Sequence, residues 1–173
     1  NSTPAREVCL ARRDFRGRTV IITGGAGGIG RALARRFGGA GAKIAILDLA
    51  SSPLKETHEE LERAGIEALA LACDITDLCQ VHAAMTAVRK AFGGVDVLIN
   101  NAGIVHRSAF AETRPEVFRR VMDVNFFGAL HCTQACMTDL VQSQGLIIAV
   151  SSIAGLARLY GRSGHAAPNH AMH

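Results

Sequence analysis

Thr23-Gly24-Gly25-Ala26-Gly27-Gly28-Ile29-Gly30 stands where one periodicity stops and another begins. Before it, Thr19–Thr23 (TVIIT) is a β-branched run of strand length. After it, Ile29, Leu33, Phe37 and Ala40 recur at helical spacing. Glycines that lead a strand straight into a helix let the backbone turn sharply and approach an anion closely. The unpaired N–H groups and the dipole of the helix start then favour a pyrophosphate. Gly24, Gly28, Ile29 and Gly30 are therefore the candidate contacts. A glycine-rich stretch by itself is weak evidence. An acid about 20 residues further on, at the end of the next strand, makes it strong. Asp48 is that acid, with Leu49 beside it, and its carboxylate can accept from both hydroxyls of a ribose. The plainer alternative is a glycine turn followed by a solvated aspartate.

Outward from this turn, short apolar runs alternate with helical patterns. Residues 43–49, 68–73, 95–100 and 146–151 read as strands. Residues 54–64 read as a charged helix, and Leu78, Val81, Met85, Val88 and Phe92 trace the stripe of another that ends at Gly93-Gly94. A long helix is expected over 115–140, with Pro115 in its first turn and Thr113 as its N-cap. Strands separated by helices imply a parallel sheet with right-handed crossovers. The fold class is α/β: a doubly wound parallel sheet of about five strands in the order 3-2-1-4-5. Residues 1–17 lie outside the alternation and read as an irregular arm, leaving one dinucleotide-binding domain over 18–173.

Composition narrows the class. Hydrophobic residues make up 49 % and charged residues 20 % of the chain, an ordinary soluble balance. No apolar run approaches the roughly 20 residues of a membrane span. Arg6, Arg12, Arg13, Arg16 and Arg18 come without the apolar core of a secretory signal, so Asn1-Ser2-Thr3 reads as a chance sequon. The net charge of +4 is spread over several elements, which fits a solvated surface better than a nucleic-acid face. Cys9, Cys73, Cys79, Cys132 and Cys136 form no CxxC pair and leave one over in any disulfide scheme. Cys73, Cys132 and Cys136 fall in apolar runs and read as core residues. No metal site is expected, and the cytoplasm is the expected compartment.

Five motifs in one order resemble the short-chain dehydrogenase/reductase family over residues 18 to 170. The turn is similar to that family's TGxxxGxG, and Cys73-Asp74-Ile75 to its adenine-contacting acid after strand three. Asn100-Asn101-Ala102-Gly103 resembles its NNAG motif after strand four. Asn125 in VMDVNFFG matches the catalytic Asn, and Ser152 in VSSIAG the catalytic Ser. The resemblance implies an NAD(H)-dependent oxidoreductase that interconverts a small-molecule alcohol and its carbonyl. Asp74, Ile75, Asn101, Ala102 and Gly103 would join the turn, Asp48 and Leu49 around the cofactor. The residues themselves leave alternatives open. Asn125 is a polar residue in an apolar stripe, which a catalytic role, a satisfied core amide or a local helix defect would each explain. Ser152 could equally be a turn serine.

The chain departs from the family where the proton is transferred. The Tyr of Tyr-x-x-x-Lys falls 13 residues after the Ser in the family, which here is His165, and the Lys position is Asn169. Histidine titrates near neutrality and can do acid/base work, so His165 is the candidate proton donor. Its shorter reach and the lost cation make normal turnover doubtful. The rival expectation is a non-catalytic dinucleotide-binding or interaction domain. Pro168 fits a helix only if that helix starts near Ala166. The apolar run 146–151 and the uncharged stretch from Val124 to Met137 also predict self-association, a homo-oligomer.

Overall fold

The computed structural model describes residues 14–157 and 160–172. Cys9, His173 and residues 1–13 of the expected arm lie outside the described residues. Strands β1 (Thr19–Thr23), β2 (Lys43–Asp48), β3 (Ala68–Ala72), β4 (Val97–Asn100) and β5 (Leu146–Ala149) form one parallel sheet in the order β3-β2-β1-β4-β5. Helices α1 (Gly28–Gly38), α2 (Leu54–Arg63), α3 (Leu78–Phe92), α4 (Pro115–Met122), α5 (Ala129–Gln142) and α6 (Ser163–Ala171) complete it.

The two-residue period of a strand sends alternate side chains to opposite faces, and both faces are apolar here. Val20, Ile22, Ile44, Ile46, Val97 and Ile99 pack with Ala34 and Leu61 of α1 and α2. Ile21, Ala45, Leu47 and Leu98 pack with Val81, Met85 and Val88 of α3 and with Cys132, Cys136 and Leu140 of α5. These two layers are why β1, β2 and β4 read as continuous apolar runs. Ahead of β1, Phe15 stands edge-on to Phe37 with ring centroids 4.9 Å apart. Burial pushes the thiol of Cys136 up to about 12 and that of Cys132 higher still, as expected for core cysteines.

Strands β2, β3 and β5 end one or two residues before the expected 49, 73 and 151, and four further features differ from the sequence expectation, each for a local reason. The expected 115–140 helix is continuous, but residues Asp123–Gly128 between α4 and α5 form a π-helical segment. Thr113 does not cap it: its hydroxyl donates to the Ala109 carbonyl at 2.9 Å, and Arg114 holds the cap position without a side-chain bond. β4 begins at Val97, not residue 95, because Asp96 turns its carboxylate back to the Thr19 N–H at 2.8 Å. Finally α6 starts at Ser163, so Pro168 sits inside it and deprives that helix of one backbone bond.

Helices α3 and α5 are tied by Arg89. Its guanidinium donates to both carboxylate oxygens of Asp139, at 2.6 to 3.2 Å, and to the Ala135 carbonyl at 2.7 Å. Arg89→Ala is expected to lower stability by about 1–2 kcal/mol, the range for charge-assisted bonds discounted for partial exposure. Chemical denaturation of the two proteins would check it, and a change below about 0.5 kcal/mol, the ordinary surface range, would contradict it.

Candidate functional site

The turn after β1 is held open from beneath. Gly24 has φ +63°, a conformation glycine adopts without strain, and a Cβ there would meet the Ala102 Cα at 2.9 Å. A Cβ on Gly30 would lie 2.2 Å from the Gly24 carbonyl oxygen. Gly28, by contrast, faces open space. Helix α1 has Gly27 at its N-cap, with no side-chain cap and no acid in its first turn, which leaves its N–H groups for an anion.

Thr23 fastens this turn to the segment after β4. Its hydroxyl accepts from the N–H groups of Asn101 and Ala102, both at 3.0 Å. Asn101 answers with its side-chain amide, which donates to the carbonyls of Thr23 at 2.9 Å and Gly24 at 3.1 Å. So Asn101 supports the turn from below, while the backbone of Ala102 and Gly103 borders the open side.

Asp48 closes the other flank. Its Oδ2 accepts from the Ala26 N–H at 3.0 Å and its Oδ1 from the Leu49 N–H at 2.8 Å. A carboxylate has about four acceptor positions, so two remain for a pair of hydroxyls. Asp74 follows β3, with Oδ1 accepting from both the Thr76 hydroxyl at 2.7 Å and the Thr76 N–H at 2.9 Å. The Thr76 hydroxyl, then its N–H, and also the charge of Arg120 hold the Asp74 carboxyl below the usual carboxylate range.

These groups share one cleft of about 410 Å³ at the carboxyl ends of β1 to β4. Its wall brings together ten of the expected cofactor residues: Gly24, Gly28, Ile29, Gly30, Asp48, Leu49, Asp74, Ile75, Asn101 and Ala102, with Gly103 as the eleventh. It also contains Arg120 and Val124, which the sequence reading missed. No local signal points to Arg120, since only the crossover from β4 through α4 carries it to the cleft. Cys73 lies at the floor, where burial pushes its thiol up to about 11.

Of the candidate catalytic residues, Asn125 borders the cleft, against Gly103 and bonded to Ile104, both of which line it. Neither Ser152 nor His165 is among the described residues that line it. Asn125, within the π segment, clamps the backbone of Ile104: its Oδ1 accepts from the N–H at 2.8 Å and its Nδ2 donates to the carbonyl at 3.0 Å. Asn125 is half-buried, and both ends of its amide are engaged by this backbone. Ser152 Oγ accepts from the Ala154 N–H at 3.2 Å, which leaves its own proton to donate. His165 is only 8 % exposed on α6, and its Nδ1 is enclosed with no hydrogen-bond partner. Asn169, one turn on, donates from Nδ2 to the His165 carbonyl at 2.8 Å and accepts from the Ser151 hydroxyl at 3.2 Å. Among the described residues, no group of three or more His, Cys, Asp or Glu side chains is arranged to hold a metal, and no helix is long and apolar enough to cross a membrane.

Known proteins share this arrangement. The family model described as short chain dehydrogenase matches residues 18–173. The chain is 37 % identical over 167 residues to dehydrogenase/reductase SDR family member 7B of Bos taurus, covering 92 % of this chain and 51 % of that protein. It is 36 % identical over 157 residues to 2,5-dichloro-2,5-cyclohexadiene-1,4-diol dehydrogenase LinX of Sphingobium indicum, covering 90 % of this chain and 63 % of that one. Among solved structures, a short chain dehydrogenase from Mycobacterium smegmatis superposes with a TM-score of 0.86 at 30 % identity, over 91 % of this chain and 67 % of the other. The chain thus spans about half the length of the member 7B proteins it matches. With the family model matched over residues 18–173 and relatives of 30 % identity or more, the chain belongs to the short-chain dehydrogenase/reductase family.

Proposed function

We propose that the chain is the cofactor-binding part of an NAD(H)-dependent oxidoreductase that interconverts a small-molecule alcohol and its carbonyl. The observation that carries this is Asp48: a carboxylate pinned by two backbone N–H groups, with acceptor capacity left over at the cleft. A bound nicotinamide nucleotide would supply or take up the hydride. Asp48 would hold the adenosine ribose, the α1 start and glycine turn the pyrophosphate, and Asp74 the adenine. Ser152 would donate its free hydroxyl proton to a substrate oxygen. A homo-oligomer built on the exposed face of α5 and a reducing, cytoplasmic compartment belong to the same proposal.

A 2′-phosphate would meet the Asp48 charge. NAD(H) is therefore expected to bind more tightly than NADP(H) by about 1–3 kcal/mol, the scale of an uncompensated polar group. NADH and NADPH titrations followed by nucleotide fluorescence test it, and equal affinities would sink the proposal. Asp48→Ala should narrow the gap, and should also weaken NADH itself because the Ala26 N–H loses its acceptor.

A second reading, a dinucleotide-binding domain without turnover, is favoured by His165 and Asn169. Both are buried: the His165 ring nitrogen Nδ1 has no hydrogen-bond partner, and Asn169 is bonded to the His165 carbonyl and to the Ser151 hydroxyl. The expected result is very slow or absent NAD-linked oxidation over a panel of simple alcohols. Robust turnover by the unaltered chain would instead show that His165 serves as the acid.

A further inference from the structure

A second cavity lies outside the nucleotide cleft and shares no described residue with it. Its walls come from two connections. One follows β4 and opens the short turn Phe110–Glu112, and the other leads from β5 into α6. The Ser108 N–H donates to the Gly161 carbonyl at 3.1 Å and ties the two together. Helix α6 supplies the third side. Ser163, Ala166 and His170 recur at i, i+3 and i+7 and so share one helix face. Gly164, His165, Pro168 and Asn169 are buried on another. The cavity measures about 320 Å³, room for one ring system at the small end of ligand sites.

The groups around it are of two kinds. Phe110 and Tyr160 stand at the rim, 73 % and 93 % exposed, and Ala157 and Ala166 add methyl surface. Phe110 is steadied by Phe118, edge-on with ring centroids 5.8 Å apart. Two exposed aromatic rings beside one cavity offer faces on which a flat ring can lie, an arrangement worth more than the area it covers. The polar groups are the Tyr160 and Ser163 hydroxyls and the His170 imidazole. None of the three has a hydrogen-bond partner among the described residues. Hydroxyl and imidazole groups both donate and accept, which matches a ligand hydroxyl that does the same.

We propose that this groove is a binding site for an aryl alcohol or phenol. A single aromatic ring lies against Phe110 and Tyr160, and its hydroxyl turns to Ser163 and His170. The site does not depend on the reading of the first cleft as an adenine-nucleotide site. A saturated alcohol of the same size covers the same apolar surface but loses the ring-on-ring geometry.

The test uses Tyr160 as its own reporter, since it is the one tyrosine of the chain. Its ring resonances are followed by NMR while benzyl alcohol, or its saturated analogue cyclohexylmethanol, is titrated into the protein. Benzyl alcohol is expected to move them along a saturating curve, with a dissociation constant at least about 3-fold below that of cyclohexylmethanol. Phe110→Ala and His170→Ala should each weaken benzyl alcohol by about 3-fold or more, with the fold checked by circular dichroism. Val141→Ala, on the exposed face of α5, should leave it unchanged. Shifts that rise in proportion to added alcohol without saturating would overturn the site, as would equal affinity for the two alcohols. An unchanged constant in both variants would do the same. Tyr160 resonances that respond to protein concentration and not to alcohol would also overturn it, and would assign the groove to a contact between copies of the chain.

Discussion

Gly30→Ala is expected to weaken NADH binding by more than 100-fold, on the order of two lost charge-assisted hydrogen bonds, and to lower stability by about 1–3 kcal/mol. The added Cβ would sit 2.2 Å from the Gly24 oxygen and 2.7 Å from the Gly25 Cα, both backbone atoms that cannot swing aside. Relief requires α1 to back away from the turn, and the N–H groups of its first turn then miss the phosphates. Gly28→Ala is the matched control, since nothing lies within 4 Å of its Cβ position. Thermal unfolding and nucleotide titration of the two variants separate the effects. Gly30→Ala binding within about 5-fold of the parent, below the worth of one such bond, would show that the turn and α1 are not a rigid cradle.

The 173-residue chain is expected to self-associate at tens of micromolar, the order at which exposed strand edges do so, and Ile147→Lys should shift it toward monomer. β5 is an edge strand with β4 on one side only, and Leu146 and Ile147 are 42 % and 43 % exposed. It carries no charge or proline to block a further strand. Helix α5 also leaves Met137 and Val141 exposed, the latter at 69 %. Sedimentation velocity across a concentration series would decide the matter. A clean monomer in the unaltered chain would mean that this edge does not pair.

Where the chain obeys a short period, its structure was legible. The run TVIIT, the glycines after it and the continuous apolar runs of β2 and β4 are local facts, and they led to the strand order and to the Asp48 flank of the cleft. Boundaries failed where two local options competed. Thr113 had a helix to cap, but the nearer Ala109 carbonyl claimed its hydroxyl, the usual rivalry between short polar side chains and backbone. Arg120 was invisible for a different reason: it lies 46 residues from Asp74 in sequence, and only the completed crossover makes the two charges neighbours. His165 could be located by counting from Ser152. Its burial could not, because that comes from α6 lying against α4 and against the turn at Ile153–Gly155.

The π segment at Asp123–Gly128 acts as a phase correction in the longest helical stretch of the molecule. Val124, Gly128, Cys132, Cys136 and Leu140 are buried at a repeat of four, with Ala129 buried beside Gly128. Four residues overshoot a turn of 3.6, so an unbroken α-helix would slowly rotate this stripe off the sheet. One turn that closes a residue later absorbs part of the excess. The segment thereby behaves as a unit of length and not of composition: removing one residue from it would turn α4, with Arg120, by about 100° relative to α5. Mutational tolerance here should follow that logic, with single-codon deletions far more disruptive than exchanges among its exposed side chains.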